Sequence, residues 1–227
     1  MKVVISIGGS IIVPDDVDYN FLIRLKKVIY KISKKYKIVI VTGGGKTARK
    51  YIGALRRKGA SEYVQDVIGI ECTRLNARLV SNFLGINREI PKTIEETVLA
   101  ISSFRVVVCG GLGKGKKIGT GKTSDGTCAE IAEHIGAHLF INMTNVNGLY
   151  SKDPKKHKDA KFIPSISYKD FNKIMSKVKE KPGEHFILDS YAARIITRKK
   201  IKTIILKGVK NLQGAIEGKR FVGTVIS

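Results

Sequence analysis

Residues 42–49 read TGGGKTAR, and they join a strand pattern to a helix pattern. The apolar run 38–41 precedes them, and apolar residues recur at helical spacing from Ala48 to Leu55 after them. Three consecutive glycines make a costly junction because glycine loses the most backbone freedom on folding. The stretch therefore predicts that something approaches this backbone closely enough to exclude side chains.

Glycine runs also end two other apolar segments, IGGS at 7–10 and CGG at 109–111. In a parallel sheet the carboxyl ends of the strands lie along one edge, where ligands bind. Helices that begin at such turns offer free N–H groups and a dipole that favours anions. We interpret 43–45 as a phosphate site that Arg49, one turn later, reaches as a planar donor. Tight strand-to-helix packing is the alternative explanation of each run.

The order of segments predicts an α/β fold. Strand patterns alternate with helical ones, and the central strands are continuously apolar, as in parallel sheets covered on both faces. We expect a mainly parallel sheet in a single domain, 1–227, a hairpin or turns at 145–167 and a short strand at 86–90. The other expected strands are 2–7, 37–42, 105–109, 138–143, 203–207 and 221–226.

The charge is strongly basic. The chain has 227 residues, and 42 Lys and Arg against 19 Asp and Glu give a net charge of +23. This balance favours phosphorylated ligands or polyanions, although solvated lysines of a hot habitat or a lysine-rich genome explain it equally well. Neither a membrane-spanning run nor a signal peptide is evident, so we expect a cytoplasmic protein with no membrane or nucleic-acid partner.

The spacing of cysteines and histidines argues against a metal site, and a near match to the P-loop motif fails at one position. The three cysteines have no CxxC spacing and the four histidines form no ligand pairs, so we expect reduced thiols and no metal site made by protein side chains. The stretch 115–123 nearly matches a phosphate-binding P-loop, but Lys116 stands where that motif requires its first glycine. We therefore disfavour a P-loop.

Several collinear stretches resemble the archaeal uridylate kinases of the amino acid kinase superfamily. They cover nearly the whole chain and read IGGS, VTGGGKTARKYI, QDVIGIECTRLNARL, GKTSDGTCAEIAEHIGA, TNVNGLYSKDPKK and LDSYAARII. The resemblance implies a three-layer αβα sandwich of the amino acid kinase type. It also implies transfer of the γ-phosphoryl group of ATP, with Mg²⁺, to UMP, by an enzyme that assembles as a homo-oligomer, usually a hexamer.

The resemblance also implies which residues bind each nucleotide. The acceptor half is about 1–135 and the ATP half about 136–227. The implied ATP-binding residues are Gly9, Ser10, Gly45, Arg49, Thr144, Tyr150 and Asp153. The implied UMP-binding residues are Gly44, Asp66, Thr120, Gly121, Lys122, Thr123 and Ser124, with Asp66 on the ribose hydroxyls.

The expected catalytic residues are Arg49, Ser10 and Asp125. Phosphoryl transfer needs positioning and charge neutralisation rather than a strong base. Asp125 matches a family acid that would orient a lysine or Mg²⁺, and a plain helix cap is an equal reading of it.

Three departures from the family leave the acceptor open. Asn147 stands where the family usually has Asp, the segment 111–125 is longer than usual, and 181–186 lacks the family's small residues. We expect lysines of the long segment, Lys114, Lys116 and Lys117, to attract nucleotides and close over them. The alternatives are another nucleoside monophosphate, carbamate or a carboxylate as acceptor, a nucleotide sensor without turnover, and a basic nucleic-acid-binding protein.

Overall fold

A computed structural model describes residues 1–86, 89–113, 123–154, 156–177 and 188–227. Within these ranges the chain forms one large sheet, a two-stranded hairpin and flanking helices. The strands are β1 (Lys2–Ile7), β2 (Lys37–Thr42), β3 (Val106–Cys109), β4 (Leu139–Met143), β5 (Leu149–Tyr150), β6 (Phe162–Ile163), β7 (Ser165–Ile166), β8 (Thr203–Leu206) and β9 (Gly223–Ile226). The helices are α1 (Gly9–Ile12), α2 (Tyr19–Ser33), α3 (Gly45–Arg57), α4 (Glu62–Leu84), α5 (Ile94–Ser103), α6 (Ser124–His134), α7 (Tyr168–Lys177), α8 (Ser190–Lys199) and α9 (Val209–Glu217).

The large sheet has seven strands in the order β3-β2-β1-β4-β8-β9-β7. The pairs from β3 to β8 are parallel, β9 runs antiparallel to β8, and β7 is parallel to β9. Helices pack against this sheet, so the predicted mainly parallel α/β sandwich is confirmed. The hairpin predicted within 145–167 is also confirmed, as the antiparallel pair β5 and β6.

The central strands are apolar because both of their faces are covered. All of β1 from Val3 to Ile7 is buried, and so is β2 from Ile38 to Thr42. These strands lie in register, with Ile5 opposite Ile40, and their side chains enter a core that extends to the helices on each side. The burial of the two strands fixes the positions of the turns that follow them.

Side-chain caps define where several helices begin. Thr93 accepts a hydrogen bond from the amide of Glu96 at 3.1 Å, and the Glu96 carboxylate accepts from the amide of Lys92 at 2.6 Å. The Thr93 bond is that of a capping box, whereas the Glu96 carboxylate binds the amide one residue before the cap. The long helix α4 ends at Gly85, whose left-handed backbone terminates it.

Two local predictions differ from the structure. The strand expected at 86–90 is not formed by Ile86, Glu89 or Ile90, and the two residues between them lie outside the described ranges. Ile90 enters the core without joining a strand, which explains the apolar pattern. The four-residue helix α1 was not predicted, because GSII is too short to show a helical period. No helix in the described part of the chain is long and apolar enough to span a bilayer.

The strand order places one crevice at the carboxyl edge. The chain passes from β1 to β2 and then to β3 on one side, and returns to β4 on the other side of β1. This reversal is the point at which open α/β sheets bind their ligands. The turn after β1 and the segment after β4 therefore flank the expected site.

Candidate active site

The glycine turns after β1 and β2 are in direct backbone contact with each other. A Cβ added to Gly45 would lie 2.5 Å from the carbonyl carbon of Gly9 and 2.7 Å from the amide nitrogen of Ser10. A Cβ on Gly9 would lie 2.7 Å from the carbonyl carbon of Gly43. Gly45 also has a φ of 64°, which side chains rarely adopt. Neither turn therefore has room for a side chain at these positions.

This contact corrects the reason given for the glycines. The close neighbour of Gly45 is the other turn, so packing within the protein explains why no side chain is tolerated at Gly9 and Gly45. Gly8 differs, because a Cβ there would meet only ordinary contacts, at 3.7 Å or more. A phosphate on the backbone at 43–45 is not needed to explain the sequence and stays a prediction.

Arg49 and Ser10 lie together at the joined turns, as predicted. The guanidinium Nη2 of Arg49 donates a 2.8 Å hydrogen bond to the hydroxyl of Ser10. Lys46, one turn earlier on α3, forms a 2.8 Å ion pair with Asp15, whose pKa it lowers. Helix α3 has no acidic residue in its first turn, so its amino end presents cations and free N–H groups.

Helix α4 fixes two of the glycine turns through residues that the sequence did not assign. Asn76 is 5 % exposed, and its Nδ2 donates a 2.8 Å hydrogen bond to the carbonyl of Gly43. The hydroxyl of Thr73 accepts from the amide of Gly111 at 2.6 Å, and its carbonyl accepts from the hydroxyl of Thr42 at 2.8 Å. The turns after β2 and β3 are thus held by the same helix.

Asp125 lies in a polar network between β1 and β4. Ser6 and Asn142 face each other on these strands. The Asp125 carboxylate accepts from the Ser6 hydroxyl at 2.8 Å and from the Asn142 amide at 3.5 Å. Burial raises the pKa of Asp125 to about 7; the charge of Asp189 adds to the rise and the hydrogen bond from Ser6 opposes it. Asp125 is therefore not the simple helix cap of the alternative interpretation, because Thr123 holds the cap position of α6.

The start of α6 is tied to the start of α8. Thr123 caps α6 by accepting from the amide of Gly126, and its own hydroxyl donates to Asp189, the cap of α8. Ser124 lies beside the turn after β2, because its Oγ would be 3.4 Å from a Cβ on Gly43. Two of the predicted UMP-binding residues, Thr123 and Ser124, are thus at the carboxyl edge.

Other predicted residues of this loop lie outside the described ranges. They are Thr120, Gly121 and Lys122, together with the loop lysines Lys114, Lys116 and Lys117. Their expected contacts stay predictions.

The remaining acceptor-side residues lie on or against α4. A Cβ on Gly44 would meet the Cβ of Ala48 at 2.5 Å and the carbonyl of Gly69 at 3.4 Å. Asp66 is half-buried one turn before Gly69 and Ile70, so it lies on the face of α4 that meets the glycine turns. The role of Asp66 on the acceptor ribose stays a prediction.

The predicted ATP-side residues lie after β4. The amide of Thr144 donates to Leu206 at 2.9 Å, which continues the pairing with β8. The ring of Tyr150 packs on Phe162 across the hairpin with centroids 5.4 Å apart. Asp153 is exposed, and its carbonyl accepts from the amides of Lys156 and His157. Thr144 flanks the crevice directly, whereas Tyr150 and Asp153 belong to the hairpin region.

The family model for the amino acid kinase family matches residues 1–207. The chain belongs to this family. A uridylate kinase of Thermoplasma volcanium is 39 % identical over 227 residues, which cover 99 % of this chain and 97 % of that protein. A uridylate kinase of Archaeoglobus fulgidus is also 39 % identical, over the whole of both chains.

Solved structures agree with the family assignment. The crystal structure of the uridylate kinase from Archaeoglobus fulgidus superposes with a TM-score of 0.86 at 37 % identity, and the match covers both chains completely. The UMP kinase of Ureaplasma parvum, at 22 % identity, shares the fold with a TM-score of 0.81. The resemblance to archaeal uridylate kinases inferred from the sequence is confirmed.

The carboxyl edge of this amino acid kinase has oxygen donors that fit Mg²⁺. The described residues contain no cluster of three His, Cys, Asp or Glu side chains that could hold a metal alone. Mg²⁺ commonly uses one or two carboxylates, substrate phosphates and water instead. Asp125 supplies one such carboxylate, which the hydroxyl of Ser6 and the side-chain amide nitrogen of Asn142 hold in place.

The residues that sequence reasoning missed are Ser6, Thr73, Asn76, Asn142 and Asp189. The motifs TRLNA and LDSYAARII contain three of them, but only as part of a resemblance. The capping role of Asp189 could have been predicted, since an Asp immediately before a helical pattern is a common helix cap. Ser6 and Asn142 had none, because their contact depends on the pairing of two strands far apart in sequence.

Proposed function

We propose that this protein transfers the γ-phosphoryl group of ATP to UMP, giving ADP and UDP. The observation that carries the proposal is the pairing of Arg49 with Ser10 at 2.8 Å on the joined glycine turns. This pairing places a planar cation at the carboxyl edge, beside the crevice between β1 and β4. The similar full-length proteins named uridylate kinase support UMP as the acceptor.

Backbone amides and Arg49 would stabilise the transferring phosphoryl group. Its oxygens carry the charge that must be neutralised in the transition state, and positioned donors do this without a reorganisation cost. Gly9, Ser10 and Gly45 present the backbone at the joined turns, and Arg49 lies above them. Thr144 and the hairpin residues Tyr150 and Asp153 would hold the rest of ATP, with the Tyr150 ring as an apolar face for adenine.

The acceptor would lie between α4 and the start of α6. The Asp66 carboxylate suits two ribose hydroxyls, because it can accept both hydrogen bonds. Gly44 offers close backbone approach, and Thr123 and Ser124 lie beside the turn after β2. Thr120, Gly121 and Lys122 complete the set of proposed acceptor contacts.

Asp125 would help to hold Mg²⁺ with the phosphates of ATP. The ion, when bound, neutralises charge on the phosphate oxygens. The chain's own part is to keep the Asp125 carboxylate in place through Ser6 and Asn142. A bound cation would also favour the ionised form of this carboxyl, whose pKa burial raises to about 7.

We further propose a homo-oligomer, a hexamer by family resemblance, in the cytoplasm. Exposed apolar side chains on α3 and α4 support an association surface on that side; they are Tyr51, Tyr63, Val64 and Leu75. Sedimentation velocity of the purified protein would determine the assembly.

A coupled assay for ADP release tests the reaction. Purified protein with ATP and Mg²⁺ is offered UMP, CMP, AMP, GMP, carbamate or N-acetylglutamate in turn. We expect UMP to give the highest kcat/KM. ADP release with UMP at the no-acceptor background, alongside turnover of another acceptor, would disprove UMP as substrate. Nucleotide binding with no turnover of any acceptor would instead favour a sensor.

A further inference from the structure

We propose that Thr73 and Asn76 are positioning residues that align the two phosphate-side turns with the acceptor site through α4. Neither is expected to touch a nucleotide. The inference rests on the proposed kinase function, because the alignment matters only if two bound nucleotides must meet. It assigns a role to the TRLNA segment, 73–77, that neither nucleotide site accounts for.

Thr73 connects α4 to two strand ends. Its hydroxyl donates to the carbonyl of Ile70 at 2.6 Å, which directs the oxygen's lone pairs at the amide of Gly111, also at 2.6 Å. Its backbone carbonyl accepts from Thr42, the last residue of β2, at 2.8 Å. The turn after β3 lies against the same stretch, since a Cβ on Gly110 would be 2.7 Å from the Thr73 carbonyl carbon.

Asn76 holds the turn after β2 from the next turn of the helix. It is nearly completely buried, and its side-chain amide donates to the Gly43 carbonyl at 2.8 Å. The Gly43 peptide in turn packs on Gly9, so Asn76 acts indirectly on the turn after β1 as well. Burying a side-chain amide costs free energy unless it is hydrogen-bonded. The bond to Gly43 therefore holds the Asn76 side chain in one orientation.

Helix α4 also carries the proposed acceptor contact. Asp66 lies about two turns before Thr73 on the same continuous helix, Glu62–Leu84. A helix is stiff over that length, so the distance from the acceptor ribose to the turns is set by α4 itself. Near-attack geometry is sensitive at this scale, because a misplacement of about 1 Å can lower the rate roughly 10²-fold.

A positioning role makes a kinetic prediction that a purely structural role does not. The contacts that bind ATP and UMP remain in a variant of Thr73 or Asn76, so both KM values should stay within about threefold of wild type. The chemical step should suffer, because the two nucleotides no longer meet in line. A general loss of folding would instead lower the active fraction in proportion to the loss of thermal stability.

The experiment compares Thr73→Val, which removes the hydroxyl at nearly constant volume, with Thr73→Ser, which keeps it. Asn76→Asp keeps the shape of the side chain and removes its donor. The control is Thr203→Val, because Thr203 is completely buried, more deeply than the partly buried Thr73, but lies at the amino end of β8, where its hydroxyl donates to the carbonyl of Ile201. Each variant is assayed at least about 15 °C below its own Tm, so that the folded fraction stays near one. This margin is on the order of the largest shift in Tm that a single substitution causes.

We expect kcat to fall about tenfold or more in Thr73→Val and Asn76→Asp, and to stay near wild type in Thr73→Ser and Thr203→Val. Hydrogen exchange of the segment 106–113 should be faster by about tenfold in Thr73→Val, because the Gly111 amide loses its acceptor. Wild-type kcat in folded Thr73→Val and Asn76→Asp overturns the proposal, and so does an equal loss of kcat in Thr203→Val.

Three further outcomes have a defined consequence. If Thr73→Val does not fold, Thr73→Ala replaces it, since it removes the same hydroxyl without adding an apolar methyl at that point. If the wild-type protein turns over another acceptor, the variants are compared with that acceptor. If it turns over none, the proposed function has failed by itself, and unchanged exchange at 106–113 in the Thr73 variant then overturns the positioning role.

Discussion

The joined turns after β1 and β2 differ from the hairpin after β4 in what holds them. At the joined turns, backbone atoms meet backbone atoms, and no side chain lies between Gly9 and Gly45. At the hairpin, β5 and β6 pair with each other, and a side chain of β9 ties them to the large sheet: the hydroxyl of Thr224 accepts from the amide of Leu149 at 2.7 Å and donates to the carbonyl of Ile163 at 2.5 Å.

This difference predicts how each region responds to substitution. A contact between two backbones cannot be relieved by a rotamer change, so an added methyl group must move a strand end. A contact made by a side chain can be weakened gradually. We therefore expect large, sharply position-dependent effects at the proposed phosphate turns and smaller effects at the proposed ATP-side hairpin.

The largest effect is expected for Gly9→Ala. The new methyl group would overlap the turn at Gly43 and Gly45, which must move apart by roughly 1 Å. Displacement of that size should lower kcat/KM by about 10²-fold or more and destabilise the fold by about 1–3 kcal/mol. Gly8→Ala is the matched control, because a Cβ there would make only ordinary contacts at 3.7 Å or more. It should keep near-wild-type kinetics and Tm. Equal effects of the two substitutions would show that the contact between turns is not limiting.

Arg49→Ala should have the second largest effect, a loss of kcat/KM of roughly 10²-fold. A charge-assisted phosphate contact in a water-excluded site contributes several kcal/mol, and Lys cannot replace the planar guanidinium fully. Arg49→Lys should therefore also be impaired. Arg57→Ala, at the exposed end of the same helix, is the control. Wild-type kinetics for Arg49→Ala would remove this residue from the site.

Thr224→Val should have a moderate effect that is confined to the ATP side. It leaves the Leu149 amide and the Ile163 carbonyl without their partner, which costs about 1–3 kcal/mol. The hairpin should loosen, so the KM for ATP should rise several-fold while the KM for UMP stays constant. Thr224→Ser keeps the hydroxyl and should behave as wild type. A rise in the UMP KM alone would contradict the assignment of the hairpin to ATP.

Asp125→Asn should have the smallest effect on thermal stability, and this effect should depend on pH. The pKa of Asp125 is about 7 in the folded protein and has an ordinary value of 3.8. Between these values the folded state binds the extra proton, so wild-type stability falls as pH rises through this range. The amide carries no charge, so the Tm of the variant relative to wild type should be higher at pH 8 than at pH 5.

Asp170→Asn provides the control for that measurement. Its exposed carboxylate has a pKa lowered by the hydrogen bond from Ser167, so it is ionised at both pH values. The Tm difference between this variant and wild type should be the same at pH 5 and pH 8. A constant difference for Asp125→Asn as well would mean that Asp125 does not titrate in this range.

The sequence predicted the fold well because its signals are local. Glycine runs mark where β1 and β2 end, and apolar periods mark the strands and helices to within a few residues. Ser10 and Arg49 were both expected on the phosphate side of the site, but the hydrogen bond between them was not predicted. The short helix α1 was missed, and Ile86, Glu89 and Ile90 do not form the strand expected there, because neither segment is long enough for a period to decide.

The connections inside the site were less predictable because they are non-local. A threonine and an asparagine in a helix look alike whether they face water or a strand end, so Thr73 and Asn76 carried no sign of their partners. The environment of Asp125 depends on Ser6 and Asn142 being opposite each other across two strands. The contact between Gly9 and Gly45 was not predictable for the same reason, since the two residues are far apart in the chain.

The interlocked turns have a consequence for folding. β1 is buried and almost wholly apolar on both faces, so a slip of one residue against β2 would still bury apolar side chains and would cost little in the core. Such a slip in one direction would bring Ser10 to the position of Gly9, against the backbone of Gly45, where no side chain fits. The contact between the two glycine turns therefore selects against that slip of the first strand, a role in strand register that is separate from binding.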